Sequence, residues 1–212
     1  IEDPLETERI LKSPSNVIIA KDWNPSNERF TDDIAILVLE KNITLSNYIR
    51  PICLTSKDLG FTEGVVAAWG KNDKSARDHE NIPRKLIIPI ASSNEECYRE
   101  NARLASFSWP KSFCAGRKGV GVCRGDSGGG LYVISKGKFY FKGLVSHGVP
   151  AEGSDLTPCF TENYAVYTDV VKYADFLTGR SVTVENYECG VPIVPTSLIA
   201  GGKKIQRDSF PW

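Results

Sequence analysis

The chain has 212 residues, of which 41% are apolar and 25% charged, enough apolar material for one large β domain or two small ones and too much for a disordered chain. Its 26 basic and 26 acidic side chains cancel, so no basic field exists to hold a nucleic-acid backbone or an anionic lipid surface, and neither nucleic acid nor a membrane is expected as a partner. The longest apolar runs, 34–39 and 65–69, are strand-length and far below the ~20 residues of a membrane-spanning helix.

Short segments rich in β-branched and aromatic residues recur at 17–20, 34–39, 65–69, 86–90, 131–134 and 139–145, each bounded by turn residues. Ser135-Lys136-Gly137-Lys138 predicts a hairpin turn between the last two. The pattern is all-β. One helix is predicted late, with Thr168 as its cap, Asp169 in the first turn, Val170, Tyr173, Ala174 and Leu177 on one face, and Gly179 beyond its end. From 181 the texture changes, and the stretch to 197, with Pro192 and Pro195 and no sustained apolar period, reads as a linker.

Six cysteines stand at 53, 97, 114, 123, 159 and 189 with no C-x-x-C pair. Such spacing points to disulfides in an oxidising compartment rather than to zinc, so a secreted, extracellular protein with no metal and no cofactor is expected. Asn42-Ile43-Thr44 is an N-glycosylation acceptor that agrees with this. Methionine is absent throughout, which predicts a processed or partial chain.

Gly125-Asp126-Ser127-Gly128-Gly129 is the segment that carries chemistry. A serine hydroxyl is a weak nucleophile and needs neighbours that activate it and stabilise the oxyanion it creates. The glycines suit this. Gly125 presents a bare backbone N–H beside that of Ser127, while Gly128 and Gly129 permit a tight turn and close substrate approach. The same residues satisfy the looser G-x-S-x-G pattern of a nucleophile elbow, but a β-rich segment follows where that motif needs a helix. The order Ser, acid, His also fails, because no Asp or Glu lies between Ser127 and His147. A glycine-rich turn with an incidental serine is the third reading of this segment alone.

Further motifs surround it in order. Thr31-Asp32-Asp33-Ile34-Ala35-Ile36-Leu37, Pro51-Ile52-Cys53-Leu54, Ala68-Trp69-Gly70, Phe113-Cys114-Ala115-Gly116, Gly143-Leu144-Val145-Ser146 and Tyr167-Thr168-Asp169-Val170 are spread over 17–178. With the pentapeptide, this series resembles the trypsin and chymotrypsin family of serine proteases. The resemblance implies an all-β fold of two six-stranded antiparallel β-barrels, the first incomplete, followed by a C-terminal helix. It implies Asp33 as the catalytic aspartate, Ser127 as the nucleophile, the amides of Gly125 and Ser127 as the oxyanion hole, and Ser146 as a helper in orienting the base. Asp126 takes the place of the residue that pairs with a new N-terminal amine on zymogen activation.

The resemblance also sorts the cysteines. It implies Cys97–Cys114 and Cys123–Cys159, while a third family disulfide would join the positions of Gly64 and Val133 and is lost at both ends. Cys53 is left without an obvious partner in its own domain and, as in relatives, ties to an upstream propiece; the alternative is a Cys53–Cys189 bond.

In the family a histidine well upstream of the aspartate takes the serine proton, yet none of the 32 residues before Asp33 is histidine. His79 lies in a polar loop, and His147 falls where relatives place a tryptophan over the substrate cleft, so neither is expected to act as the base. Without a base, residual rates stand only ~10^3 to 10^4 above water, and this chain by itself should be nearly inert.

The resemblance puts Gly121 at the floor of the specificity pocket, where an aspartate would select Arg or Lys. Gly148 leaves one wall open and Ala165 narrows the pocket slightly, so a neutral pocket favouring apolar side chains is expected. Residues 1–180 are read as a protease domain lacking its N-terminal part, 181–197 as a linker, and 198–212 as the stub of a second protease domain. In that stub Leu198-Ile199-Ala200-Gly201-Gly202 resembles an activation site, and cleavage after Leu198 is expected. Ile1-Glu2-Asp3-Pro4 does not resemble an activation terminus. The intact parent is therefore expected to be a serine endopeptidase acting on proteins or peptides, with an activating protease and inhibitors as further partners. The alternative is a non-catalytic homologue that binds or scaffolds partners in an extracellular cascade.

Overall fold

Eight strands and two short helices are seen in a computed structural model, which describes residues 10–24, 30–46, 49–55, 57–71, 83–150, 159–178 and 188–192. Strands β1 (Pro14–Ile19) and β2 (Ala35–Leu39) pair antiparallel as a ribbon of their own. Pro14 is tolerated because the first residue of a strand need not donate to the ladder. Strands β3 (Glu63–Ala68), β4 (Arg84–Pro89), β5 (Ser112–Ala115), β6 (Gly130–Ser135), β7 (Lys138–Gly148) and β8 (Ala165–Asp169) form one antiparallel sheet in the order β4-β3-β6-β7-β8-β5.

The two edges of that sheet meet. Ile90 bridges Ala115, Ala91 N–H donates to Cys114 O at 3.0 Å, and Gly116 N–H donates to Pro89 O at 2.8 Å, so the six strands close into a barrel. Val66, Ile88, Leu131, Val133, Val145 and Tyr167 fill its interior. This is the expected six-stranded barrel. Besides it, the described residues form one small sheet, the β1–β2 ribbon. The hairpin turn at 135–138 forms as its residues predict, with Lys136 and Gly137 at φ of 50° and 76°, the left-handed pair that a two-residue turn between twisted strands requires.

The final helix differs from expectation at its start. Thr168 and Asp169 still belong to β8, a 3₁₀ turn spans Val170–Tyr173, and α2 covers only Ala174–Thr178. The capping side chain is Asp169, whose carboxylate accepts from Val171 N–H at 3.3 Å; the Thr168 hydroxyl is used elsewhere, donating to Asp33 O at 2.9 Å. Sheet pairing of Thr168 with Ser112 and Leu144 overrides its capping preference. Val170 and Tyr173 bury the expected face, beside Ala20 and Ile34 of the ribbon end. Helix α1 (Asn94–Glu100) was not anticipated, although Ser93-Asn94-Glu95-Glu96 has the spacing of a helix start; Glu96 reaches back to Ser92 N–H and Oγ, both at 2.8 Å.

Cys97–Cys114 and Cys123–Cys159 are bonded as the resemblance implies. Cys53 is not left for an upstream piece: it is bonded to Cys189. Backbone pairing explains why. Gly190 N–H donates to Pro51 O and Phe139 N–H to Gly190 O, both at 2.8 Å, and Lys138 pairs with Glu188, so residues 188–190 lie as a strap against the start of β7. Gly190 has φ of 67° and sits against the Phe139 backbone, where a side chain would collide. Within the barrel wall, buried Lys142 pairs with both oxygens of buried Asp169 at 3.1 Å.

Candidate active site

The segment 123–129 is a chain of tight turns. Asp126 N–H donates to Cys123 O at 3.1 Å and Gly129 N–H to Asp126 O at 2.8 Å, while Gly125 and Gly128 take φ of 94° and 78°, conformations that only glycine adopts without strain. Ser127 stands exposed between them. Two bonds at 2.9 Å, Gly128 N–H to Val145 O and Val145 N–H to Gly129 O, fasten the turn to β7.

The next residue on β7 reaches the other half of the site. Ser146 Oγ donates to Asp33 Oδ2 at 2.8 Å. Asp33 is held on several sides: Thr168 binds its carbonyl, and Ile34 N–H donates to Asp32 O at 2.8 Å, closing a three-residue turn around it. Its neighbour Asp32 is an anchor that sequence reasoning missed. Asp32 is buried at a left-handed φ of 56°, and its Oδ1 accepts from Tyr173 OH at 2.8 Å and Lys111 Nζ at 2.9 Å. Trp109 Nε1 donates in turn to Tyr173 OH at 3.3 Å, and burial together with the Asp32 carboxylate pushes the Tyr173 phenol up. The one signal in the sequence was the doubled Asp32-Asp33, since Asp tolerates a left-handed backbone better than most residues.

The Asp126 carboxylate is tied to backbone amides. Its Oδ1 accepts from Gly70 N–H at 2.8 Å and its Oδ2 from Cys123 N–H at 2.7 Å, and it borders a cavity of about 210 Å³ together with Ala68, Arg84, Gly121 and Thr161. Arg84 donates to Lys71 O at 2.6 Å and to Gly70 O at 3.3 Å, tying down the backbone that holds Asp126.

His147, also on β7, forms an aromatic triad with Phe107 and Phe30, their ring centroids 4.0 and 5.1 Å from its own and 6.4 Å from each other. Burial pushes its pKa below the usual imidazole value, and the nearby Asp33 charge offsets this only in part. Phe30 holds its place at a left-handed φ of 49°.

At Gly148 the Phe160 ring lies close by, and a methyl group added there would overlap that ring. Gly121 is likewise faced by the Phe160 carbonyl. Ala165 is fully buried in β8, paired with Ala115 and Gly148. Asn42 is exposed beyond β2. His79, the Ile1–Pro4 segment and the 198–212 stub lie outside the described residues.

The Trypsin family profile matches residues 3–177. Among similar proteins are "Serine protease gd" of Drosophila melanogaster, 28% identical over 76% of this chain and 36% of its own length, and "CLIP domain-containing serine protease HP8" of Bombyx mori, 32% identical over 77% and 44%. "Complement C1s subcomponent" of Rattus norvegicus is 32% identical over 82% of this chain and 25% of its own length. The chain thus spans less than half the length of these relatives.

Proposed function

The chain belongs to the trypsin family of serine proteases, and on that footing we propose that the natural polypeptide carrying it is a serine endopeptidase working through an acyl-enzyme. The observation that supports this most is that two consecutive residues of β7 hold both halves of the site, Val145 the Ser127 turn and Ser146 the Asp33 carboxylate. Ser127 Oγ attacks the peptide carbonyl carbon and gives its proton to an imidazole that the parent supplies from outside this chain. Asp33, aided by Ser146, orients that imidazole, and the amides of Gly125 and Ser127 receive the oxyanion. The imidazolium returns the proton to the departing amine, and water then hydrolyses the acyl ester.

Asp126 awaits the amine of an activation terminus, for which the neighbouring cavity has room. Gly121 brings no charge to the specificity pocket, so the side chain on the acyl side of the scissile bond (P1) is apolar, and the bond after Leu198, ahead of a second protease domain, is a candidate for such a cut. Three disulfides and the exposed Asn42 sequon suit a secreted protein whose partners are protein substrates, an activating protease and inhibitors.

A fluorophosphonate probe tests this reading. In the activated natural polypeptide it should label a tryptic peptide at Ser127, and Ser127→Ala should abolish the label, while the 212-residue chain alone labels barely above background. Failure of the whole polypeptide to label, beside a control protease that does, would sink the enzyme reading in favour of a non-catalytic homologue that binds partners in an extracellular cascade.

A further inference from the structure

Gly121 and Gly148, read as floor and wall of the specificity pocket, both face one residue. Cys159 is bonded to Cys123, and Phe160 N–H donates to Val122 O at 2.8 Å, so segment 159–160 is pinned alongside 121–123. From there the Phe160 ring packs against Gly148, meeting the space of an added methyl with its Cγ, Cδ1 and Cδ2 atoms, and the Phe160 carbonyl takes the corresponding space at Gly121. The ring also continues the packing of the barrel core. The ring therefore stands where a side chain at Gly148 would project, and the Phe160 backbone carbonyl stands where one at Gly121 would. That space is neutral, and a ring can fill it without burying an unpaired charge.

We propose that Phe160 is a built-in plug of the specificity pocket, its ring occupying the place of a bulky apolar P1 side chain, so that such a substrate enters only when the ring leaves. The inference rests on the protease reading for the identity of the pocket. The backbone before the ring is held by the disulfide and the Val122 bond, and the backbone after it by Gly119 N–H donating to Thr161 O at 2.6 Å, so the motion required is rotation about the side-chain torsions between staggered rotamers rather than displacement of the loop. Truncating the ring would leave an apolar space of about benzene size, and such spaces stay dry and take up small aromatic molecules.

Indole, the size of a large aromatic side chain, probes this without any need for catalysis. Titrated into the 212-residue chain and followed by NMR at the Gly121 and Gly148 amides, it should cause little saturable shift in the native protein and bind Phe160→Ala at least about tenfold more tightly. Equal affinity for the two, or no gain on truncation, overturns the plug. Should Phe160→Ala fail to fold by circular dichroism, Phe160→Leu serves: a smaller gain supports the inference, and affinity equal to the native chain overturns it. The two readings fail separately. Indole gain in a polypeptide whose Ser127 does not label keeps the plug and removes the protease, whereas labelling without indole gain removes the plug alone.

Discussion

The closed barrel and the β1–β2 ribbon are written in the same vocabulary of Val, Ile, Leu and Ala, yet their side chains meet opposite fates. In the barrel, β5 and β8 are buried at every position, and β3 at four of six. In the ribbon, Val17, Ile19 and Leu37 are 48%, 53% and 62% exposed on one face, because register sets Val17 opposite Leu37 and Ile19 opposite Ala35 with nothing described above them. Apolar composition makes a strand, but burial needs a second surface, and two strands alone supply too little of it. The ribbon's end is secured to the barrel by the small apolar cluster of Ala20 and Ile34 with Val170 and Tyr173 and by polar contacts, Ser146 and Thr168 on Asp33, and Tyr173 and Lys111 on Asp32.

The largest expected effect sharpens that contrast directly. Leu131→Ala, at a fully buried barrel position, should lower stability by about 3–5 kcal/mol, whereas Leu37→Ala in the ribbon should change it by no more than about 0.5 kcal/mol. Guanidinium melts of the two variants decide it, and a comparable loss at Leu37 would mean that its face is covered in solution. Next comes the junction. Asp32→Ala removes two hydrogen bonds to a carboxylate, one of them an ion pair, and puts alanine at a left-handed φ, for an expected loss of about 2–3 kcal/mol; Asp32→Asn keeps an acceptor and a tolerant backbone and should lose about half as much. If the two variants melt together, the junction does not depend on that acceptor.

The smallest effect is a pH slope. Because burial lowers the His147 pKa in the fold, the unfolded chain binds the proton more readily. The associated stability is present above the unfolded value of about 6.5 and is lost as pH falls through that value toward the folded pKa. His147→Gln should flatten this part of the stability profile, measured by denaturant midpoints across mildly acidic pH. A slope unchanged by the substitution would assign the dependence to another group.

Much of the barrel was legible in the sequence. Segments 65–69, 86–90, 131–134 and 139–145 became β3, β4, β6 and β7 with small shifts at their ends, and Lys136-Gly137 turned where a left-handed pair was needed. Strands β5 and β8 were named only as motifs, because a strand buried on both faces shows no alternation to read. Helix α1 was overlooked in a polar stretch whose start signal is four residues long. At the site, Ser127 and its glycines could be read because the turn is local. The Asp32 anchor could not, since Lys111 and Tyr173 reach it from 79 and 141 residues away along the chain.

Sequence alone therefore determined the strand vocabulary, the nucleophile's turn and, through a series of ordered motifs, the family; each of these is encoded in neighbouring residues. Which cysteine Cys53 binds, which side chain caps the last helix, and what stands against Gly121 and Gly148 were decided only by the tertiary structure. In each case the outcome depends on two distant segments competing for one volume or one hydrogen bond. The strap at Gly190 wins Cys53 by pairing with Pro51 and Phe139, the sheet claims Thr168, and the Cys123–Cys159 bond brings Phe160 against the two glycines.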